Sequence, residues 1–327
     1  MKKAFAIIAS GILLVSSAFA QDGQPQSVES APVRWGITTL STNFMREKPG
    51  YDEENGDQAM MGTVVQILGE ESYWVQLRTC EPYVAWVNSM AVKEVSEAEK
   101  DEYVAAPKFI CTAEYTHIYS EPNVKSLRVS DFVMGDLVCK TGKAKGKWVC
   151  VLLPSGKEGW VLKSEVMDFG KWYDSRRWSG ESVVALAKLF LGVPYMWGGT
   201  SIKHVDCSGL TRTVYHLHGI LLPRNASQQA KVGVEIPSLE EALPGDLIFF
   251  GRSADGDRPE RVTHTSIYIG GGRIIHSSQV VRINSLIKGE PDYYGGNRLH
   301  IRRILTHVDD GTGVTSMAAS PYYFKQN

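Results

Sequence analysis

A cysteine and two histidines are the side chains of this sequence best suited to covalent chemistry. Cys207 lies in the run Val-Asp-Cys-Ser-Gly at 205–209, at the predicted start of a helix, where the helix dipole and the unpaired first-turn amides favour a thiolate. A nucleophilic thiolate needs a neighbouring base, and the base needs a group that orients it. His264 and His276 follow on two predicted strands. The three residues therefore predict nucleophilic catalysis, with His264 as the base and His276 as its orienting partner.

The two histidines can meet in only one register of the hairpin that carries them. Three glycines at 270–272 form the predicted turn. A three-residue turn sets His264 opposite Ser278 and makes His276 a diagonal neighbour on the same face, at about 7–8 Å. A two-residue turn shifts the register by one and, without a bulge, places the histidines on opposite faces. The predicted pair therefore depends on the geometry of this turn.

Each of these residues also has an ordinary structural explanation. A single cysteine at a helix start is most often a packing residue, and a single histidine on a strand is most often a polar residue of the exposed face. A zinc site built from Cys207, His264 and His276 is a further alternative. The sequence contains no Cys-x-x-Cys or His-Glu-x-x-His spacing to support it. We therefore predict neither a metal nor an organic cofactor.

The five cysteines are an odd number for an exported chain, which leaves one thiol free. Cys139 and Cys150 flank a polar stretch that is typical of a hairpin turn, so the two are predicted to form a disulfide. Cys80 and Cys111 are then the remaining pair. This assignment leaves Cys207 without a disulfide partner.

The beginning of the chain is typical of an export signal. Residues 1–20 contain two early lysines, an apolar stretch and a small-residue cleavage site at Ala18-Phe19-Ala20. No later segment is long and apolar enough to cross a bilayer. We therefore expect an exported protein of the periplasm or the extracellular space, without a transmembrane segment and monomeric. The 35 Lys and Arg residues nearly balance the 36 Asp and Glu residues, which gives no basic excess for binding nucleic acid.

The predicted elements divide the chain into three parts that differ in their content of strands and helices. Residues 33–95 and 109–168 share an order of short strands, including a "Trp-Val" strand near the end, as in small β-barrels. Residues 178–308 contain two helices and then several strands, which predicts an α+β domain with an antiparallel sheet. Residues 309–327 show no pattern and are either a loose tail or a covering strap. The predicted helices are 181–191 and 208–217, and the predicted strands are 246–250, 263–269, 273–277 and 300–304.

Several short motifs occur in a specific order along residues 180–305. The set resembles the NlpC family of papain-like cysteine peptidases, and the two preceding β units resemble bacterial SH3-like domains. The whole layout is similar to that of γ-D-glutamyl-L-diamino-acid endopeptidases, which trim peptidoglycan stem peptides. The motifs are Pro-Tyr-Met-Trp-Gly-Gly (194–199), Asp-Cys-Ser-Gly (206–209), Leu-Pro-Arg (222–224), Leu-Pro-Gly-Asp-Leu (243–247), His-Thr-Ser-Ile-Tyr-Ile-Gly (264–270) and Ile-His (275–276).

The resemblance implies a papain-like α+β catalytic domain preceded by two small all-β SH3-like barrels. It implies Cys207 as the nucleophile, His264 as the base and His276 as the orienting residue. It also implies that Asp206 and Ser208 hold the free amine of an N-terminal L-alanine, through charge pairing and a directed hydrogen bond. Asp206 has an alternative explanation as the N-cap of the following helix. The full set of substrate-binding residues implied by the resemblance is Tyr195, Asp206, Ser208, Ser227, Tyr83 and Glu47.

The implied reaction is hydrolysis of the γ-D-glutamyl–diamino acid bond in stem peptides that carry a free L-alanine. The first SH3-like unit forms one wall of the pocket, and an acylated alanine would clash there and leave Asp206 unpaired. One alternative is an endopeptidase that cuts polymeric peptidoglycan and uses the SH3-like units as wall anchors. Another is a catalytically inactive cell-wall-binding protein.

Overall fold

Three large β-sheets organise residues 33–326, the part of the chain that the computed structural model describes. The export signal predicted for residues 1–20 lies outside these residues. Among the helices of residues 33–326, none has both the length and the apolar character needed to cross a membrane.

The first sheet contains seven antiparallel strands, joined in the order β3-β2-β6-β5-β4-β1-β7. Alternating side chains point inward and form an apolar core that includes Met45, Val65, Leu77 and Val87. The strands, in chain order, are β1 (Arg34–Thr38), β2 (Thr42–Arg46), β3 (Asn55–Met60), β4 (Val64–Glu71), β5 (Trp74–Arg78), β6 (Val84–Asn88) and β7 (Val92–Val95).

The second sheet repeats the topology of the first. Its order is β10-β9-β13-β12-β11-β8-β14, which is the first order with every strand number raised by seven. A helix, α1 (Glu97–Ala105), links the two sheets, and the preceding Ser96 caps it by forming a capping box with Glu99. The two N-terminal β units are therefore copies of one architecture. The strands are β8 (Lys108–Cys111), β9 (Tyr115–Tyr119), β10 (Arg128–Val133), β11 (Leu137–Lys145), β12 (Trp148–Leu152), β13 (Glu158–Leu162) and β14 (Val166–Asp168).

All five cysteines are free thiols, so both predicted disulfides are wrong. Strand β11 continues through most of the stretch predicted to be a turn, and it contains an irregularity between Lys140 and Ala144. The resulting register places Cys139 opposite Leu152 instead of opposite Cys150. Of the second predicted pair, Cys111 lies on β8 of the second sheet, whereas the Cys80 thiol donates to Glu81 in the first unit.

The C-terminal part packs helices against a six-stranded antiparallel sheet of order β18-β23-β19-β20-β21-β22. Its core joins Val183 and Leu210 of the helices to Phe249 and Ile267 of the sheet. The helices are α2 (Phe169–Asp174), α3 (Gly180–Lys188), α4 (Cys207–His216) and α5 (Ala226–Gln229). The strands are β15 (Thr200–Ser201), β16 (His204–Val205), β17 (Ile220–Leu221), β18 (Val234–Glu235), β19 (Leu247–Arg252), β20 (Arg261–Gly270), β21 (Arg273–Ser278), β22 (Val280–Ser285), β23 (Arg298–Arg303) and β24 (Thr315–Ser316).

The turn between β20 and β21 combines two of the geometries considered from sequence. Gly270 pairs with Arg273, so the turn itself has two residues. In addition, β20 contains a bulge between Tyr268 and Gly270, just before the turn. The bulge restores the register in which Ile267 pairs with Ile275. That register is the one expected for a three-residue turn, and it keeps His264 and His276 on one face.

The segment after residue 308 is a covering strap and not a loose tail. Strand β24 pairs with β17, and Met317 and Tyr323 are buried next to it. The ring of Phe324 stacks on Phe169 with centroids 5.0 Å apart. The strap therefore ties the end of the chain to the helical region.

Candidate active site

The thiol of Cys207 lies at the first position of helix α4 and is almost completely buried, with 8% of the residue exposed. Burial raises the pKa of this thiol to about 11, and the neighbouring Asp206 carboxylate acts in the same direction. Backbone hydrogen bonds from Thr265 and Ser208 lower the pKa but do not compensate. The expectation of a resting thiolate is therefore wrong, because removal from water outweighs the helix-start amides.

A chain of hydrogen bonds fixes the protonation pattern of the two histidines. The Asn284 amide nitrogen donates to the carbonyl of Asp292 at 2.6 Å, so its oxygen Oδ1 faces His276 Nε2 at 2.9 Å. That oxygen can only accept, and therefore His276 carries its proton on Nε2. His276 Nδ1 is then an acceptor and lies 2.7 Å from His264 Nε2, which must donate. This pattern leaves His264 Nδ1 with a free lone pair, the form required of a base.

Burial keeps both imidazoles neutral. It lowers the pKa of His264 to about 3, and the second largest contribution is the proximity of His276. The pKa of His276 is also lowered, mainly by burial, although the hydrogen bond to Asn284 raises it. The strand that carries His264, β20, packs against helix α4 and supplies Thr265, whose backbone contacts the Cys207 thiol. The structure thus combines a protonated thiol with a neutral base.

Two residues of this arrangement were not found from sequence. Asn284 lies on β22, a strand that was not predicted, so nothing suggested its contact with His276. Tyr294 lies in a loop rich in turn residues, and its ring packs 5.5 Å from His264 and 4.8 Å from His276 between centroids. Strand β22 is rich in Val and Ile. This composition is typical of a strand, and it is the one sequence signal that could have placed Asn284 next to the strand of His276.

A cleft of about 380 Å³ opens beside Cys207. It brings together most of the substrate-binding residues predicted from sequence, although they come from distant parts of the chain. Tyr195 is not part of the lining. Burial raises the pKa of Tyr195 to about 12, and the nearby Cys207 and Asp206 act in the same direction, so Tyr195 lies close to the thiol. The lining residues that were predicted are Glu47, Tyr83, Asp206, Cys207, Ser208 and Ser227.

The first sheet contributes one wall of the cleft. Glu47 is exposed there and has no ion-pair partner within the described residues. The Tyr83 hydroxyl lies over Gly56, and a Cβ atom at that glycine would be only 2.1 Å from the hydroxyl oxygen. Burial raises the pKa of Tyr83, and the carboxylates of Asp57 and Glu47 contribute. A glycine at 56 is therefore needed for Tyr83 to line the cleft.

The Asp206 carboxylate is already fully paired within the protein. Its Oδ1 accepts from the Gly209 amide at 2.7 Å, as an N-cap does, and from Ser208 Oγ and Arg224 Nη1 at 3.2 Å each. Its Oδ2 accepts from the Gly198 amide at 2.9 Å and from Arg224 Nη2. The expectation that a blocked substrate amine would leave Asp206 unpaired is therefore wrong, because Arg224 supplies the counter-charge.

The pair formed by Asp206 and Arg224 is the end of a buried ionic network between the first sheet and helix α4. Arg224 Nε lies 3.0 Å from Asp57 Oδ1. Arg212 of α4 donates to both oxygens of Asp57 at 2.7 and 2.9 Å and to Glu81 at 3.1 Å. Asp57 is completely buried, so these charges are shielded from solvent. The network fixes the wall that carries Tyr83 relative to the helix that carries the thiol.

Comparison with known families matches residues 192–297 to the NlpC/P60 family. A gamma-D-glutamyl-L-lysine dipeptidyl-peptidase of Bacillus cereus is 31% identical over 259 residues, which cover 75% of this chain and 74% of the relative. The chain belongs to the NlpC/P60 family.

Further comparisons extend the similarity beyond the segment matched by the family. A dipeptidyl-peptidase 6 of Lysinibacillus sphaericus is 25% identical to this NlpC/P60 chain over 268 residues, which cover 79% of the chain and 93% of the relative. A crystal structure of an NlpC/P60 family protein from Bacillus cereus has a TM-score of 0.70 and 24% identity, and it covers 83% of this chain and 99% of that one. Family membership and the peptidase relatives support a peptidase.

Proposed function

We propose that this NlpC/P60 protein is a cysteine peptidase that hydrolyses the bond between γ-D-glutamate and a diamino acid. Its substrates would be peptidoglycan stem peptides whose L-alanine has a free amino group. The observation that carries the proposal is the cleft, which Cys207 shares with Glu47 and Tyr83 of the first sheet. Relatives named gamma-D-glutamyl-L-lysine dipeptidyl-peptidase and dipeptidyl-peptidase 6 support this substrate class.

In the proposed reaction, the Cys207 sulfur attacks the γ-carbonyl carbon of D-glutamate while the thiol proton passes to His264 Nδ1. The thiol begins protonated, so proton transfer accompanies attack and does not precede it. A tetrahedral oxyanion forms, and the helix-start amide of Cys207 donates to it. His276 and Asn284 keep the proton of His264 on Nε2 throughout.

The intermediate then collapses. The His264 imidazolium gives its proton to the nitrogen of the diamino acid, the C–N bond breaks, and the diamino acid portion leaves. His264 next accepts a proton from water, whose oxygen attacks the thioester carbonyl. The C–S bond breaks, the His264 imidazolium returns its proton to the Cys207 sulfur, and the dipeptide L-Ala-γ-D-Glu leaves. The scheme requires no metal or organic cofactor.

We propose that the free amine of L-alanine is recognised mainly by Glu47. This carboxylate is exposed in the cleft without an ion-pair partner among the described residues, whereas Asp206 is saturated by Arg224 and backbone amides. Ser208 and Tyr83 supply hydroxyl groups beside it, and Asp206 adds negative charge without needing to exchange a partner. Ser227 at the start of α5 lies on the cleft and is available for the D-glutamate carboxylate.

The N-terminal units are proposed to be SH3-like domains, over residues 33–95 and 109–168, in an exported protein of the periplasm or extracellular space. The buried network between Asp57 and Arg212 argues that the first unit is a fixed wall of the pocket. An endopeptidase on polymeric peptidoglycan would need that side of the cleft to stay open for a glycan-linked chain. The position of Tyr83 and Glu47 in the lining therefore favours cleavage of free peptides.

The proposal is tested by mass spectrometry of the products from L-Ala-γ-D-Glu-meso-diaminopimelate-D-Ala. The wild type should release L-Ala-γ-D-Glu and the diaminopimelate-containing dipeptide. Cys207→Ala should give no product and should unfold within about 1 kcal/mol of the wild type, because the change removes only the sulfur atom of a thiol that forms no disulfide. Products from any other bond, or unchanged turnover in Cys207→Ala, would overturn the proposal.

A further inference from the structure

The cleft contains a cation that the proposed reaction does not use. Arg261 lines it together with Val262, Thr263 and the thiol of Cys207. Among the ion pairs of residues 33–326, none includes Arg261, and its side chain is exposed. The other arginine of the lining, Arg224, is buried and held by two carboxylates. Arg261 is therefore the cleft cation that remains available to a ligand.

A bulge in the sheet turns Arg261 toward the face of His264. Strand β19 pairs Phe250 with His264 but Gly251 with Val262, so Thr263 is an extra residue in β20. After this irregularity, Arg261 lies opposite Arg252. Along β19, residues 250 and 252 point to the same face of the sheet. Each of them shares that face with the residue paired opposite to it, so Arg261 and His264 lie on the same face. Simple alternation along β20 would have put them on opposite faces.

The local charges indicate that this arginine is not a structural ion-pair residue. Arg261 and Arg252 are directly opposed across two strands, an arrangement of like charges that destabilises a sheet. Arg252 donates to the carbonyl of Pro259 at 3.1 Å, and no comparable partner engages the Arg261 guanidinium in the described residues. An anionic ligand in the cleft would offset the repulsion between the two opposed guanidinium groups.

We propose that Arg261 recognises a carboxylate on the side chain of the leaving diamino acid, so that the enzyme prefers diaminopimelate-type residues over lysine. This inference rests on the proposed function. The leaving nitrogen must lie beside His264, which protonates it, and the strand position of Arg261 is about 7 Å further along the same face. In diaminopimelate, six bonds separate that nitrogen from the distal carboxyl carbon, a span of roughly 7–8 Å when extended. Lysine offers only an ammonium at this distance, which the guanidinium repels.

The test compares kcat/KM for two tripeptides, L-Ala-γ-D-Glu-meso-diaminopimelate and L-Ala-γ-D-Glu-L-Lys. Both share the dipeptide and the terminal carboxylate, so their ratio isolates the distal group. The wild type should prefer diaminopimelate by roughly tenfold, and Arg261→Gln should remove that preference by lowering the diaminopimelate rate without lowering the lysine rate. Arg128→Gln removes an exposed arginine of the second sheet, outside the cleft lining, and should leave the ratio unchanged. Arg261→Lys should retain part of the preference.

Each other outcome contradicts the inference. An equal loss on both peptides in Arg261→Gln would place the guanidinium on the shared D-glutamate, and an unchanged ratio would mean that it touches no substrate carboxylate. A wild-type preference for the lysine peptide would overturn the inference while leaving the proposed function intact. Failure of the wild type to cleave either peptide would overturn the proposed function first, and this inference with it.

Discussion

The role of Asn284 can be tested most sharply, because a single amide orders two imidazoles. Asn284→Ala removes the acceptor for His276 Nε2, now at 2.9 Å, and the donor to the Asp292 carbonyl. His276 can then place its proton on Nδ1 and donate to His264 Nε2. In that arrangement His264 carries its own proton on Nδ1 and cannot act as the base.

The magnitude follows from the hydrogen bond that biases the tautomer. A neutral hydrogen bond contributes about 0.5–1.5 kcal/mol, so its loss should reduce kcat roughly two- to tenfold. His276→Ala should reduce kcat by 100-fold or more, in the range seen when a base takes the wrong tautomer. In a His276→Ala background, Asn284→Ala should add less than about twofold, because the amide acts only through the ring that has been removed.

Two assays check this chain of contacts. Steady-state kinetics on a free stem peptide gives kcat, and ¹⁵N chemical shifts of labelled histidines report which ring nitrogen carries the proton. Asn88→Ala is the matched control, since this asparagine also donates once and accepts once, to Tyr51 and from Met90, but far from the cleft. If Asn284→Ala retained wild-type kcat and a single His264 tautomer, the inferred proton order would be wrong.

Three further predictions address the cleft and its support. Because burial lowers the pKa of His264 to about 3 and raises that of Cys207 to about 11, kcat/KM should stay flat from about pH 5.5 to pH 7, below the range in which the substrate amine loses its charge. A limb near about pH 6.5 would contradict the neutral resting pair. Arg212→Ala leaves the buried carboxylate of Glu81 without its arginine and Asp57 with Arg224 as its remaining ion-pair partner, so it should lower the free energy of unfolding by about 3–5 kcal/mol in urea titrations. Arg34→Ala, in an exposed pair, should lower it by less than about 1 kcal/mol; similar losses in the two variants would mean that the buried network contributes no more than surface charges. Gly56→Ala places a Cβ atom 2.1 Å from the hydroxyl oxygen of Tyr83 in the cleft wall and should raise KM with a smaller change in kcat. An unchanged KM would show that this wall does not contact the substrate.

The repeat and the catalytic hairpin were accessible from sequence because they depend on local patterns. Alternating strands and turn residues identified both N-terminal units, whose sheets share one topology. The relation between His264 and His276 could be reduced to two registers by considering the glycine turn alone. The structure adds the bulge before Gly270, which selects between them. Periodicity constrains such features because neighbours in the sheet are also neighbours in the chain.

The features that escaped prediction depend on contacts between distant segments. Arg212 and Asp57 are 155 positions apart, and nothing in either local sequence indicates that they pair. The burial of Cys207 in the folded chain was likewise not visible in the sequence, and the pKa of its thiol follows desolvation and not the helix dipole. The saturation of Asp206 by Arg224 required coordinates as well, since the N-cap and the ion pair use the same carboxylate.

The most direct test of the account compares one stem peptide with a free and with an acetylated L-alanine amine. We predict that L-Ala-γ-D-Glu-meso-diaminopimelate is cleaved at least 100-fold faster than its N-acetyl form, because acetylation removes the charge facing Glu47 and adds bulk against the first sheet. In Glu47→Gln this ratio should fall, while in Cys207→Ala both rates should vanish. Equal cleavage of the free and acetylated peptides by the wild type would contradict the central claim that the first sheet and Glu47 select substrates with a free amino end.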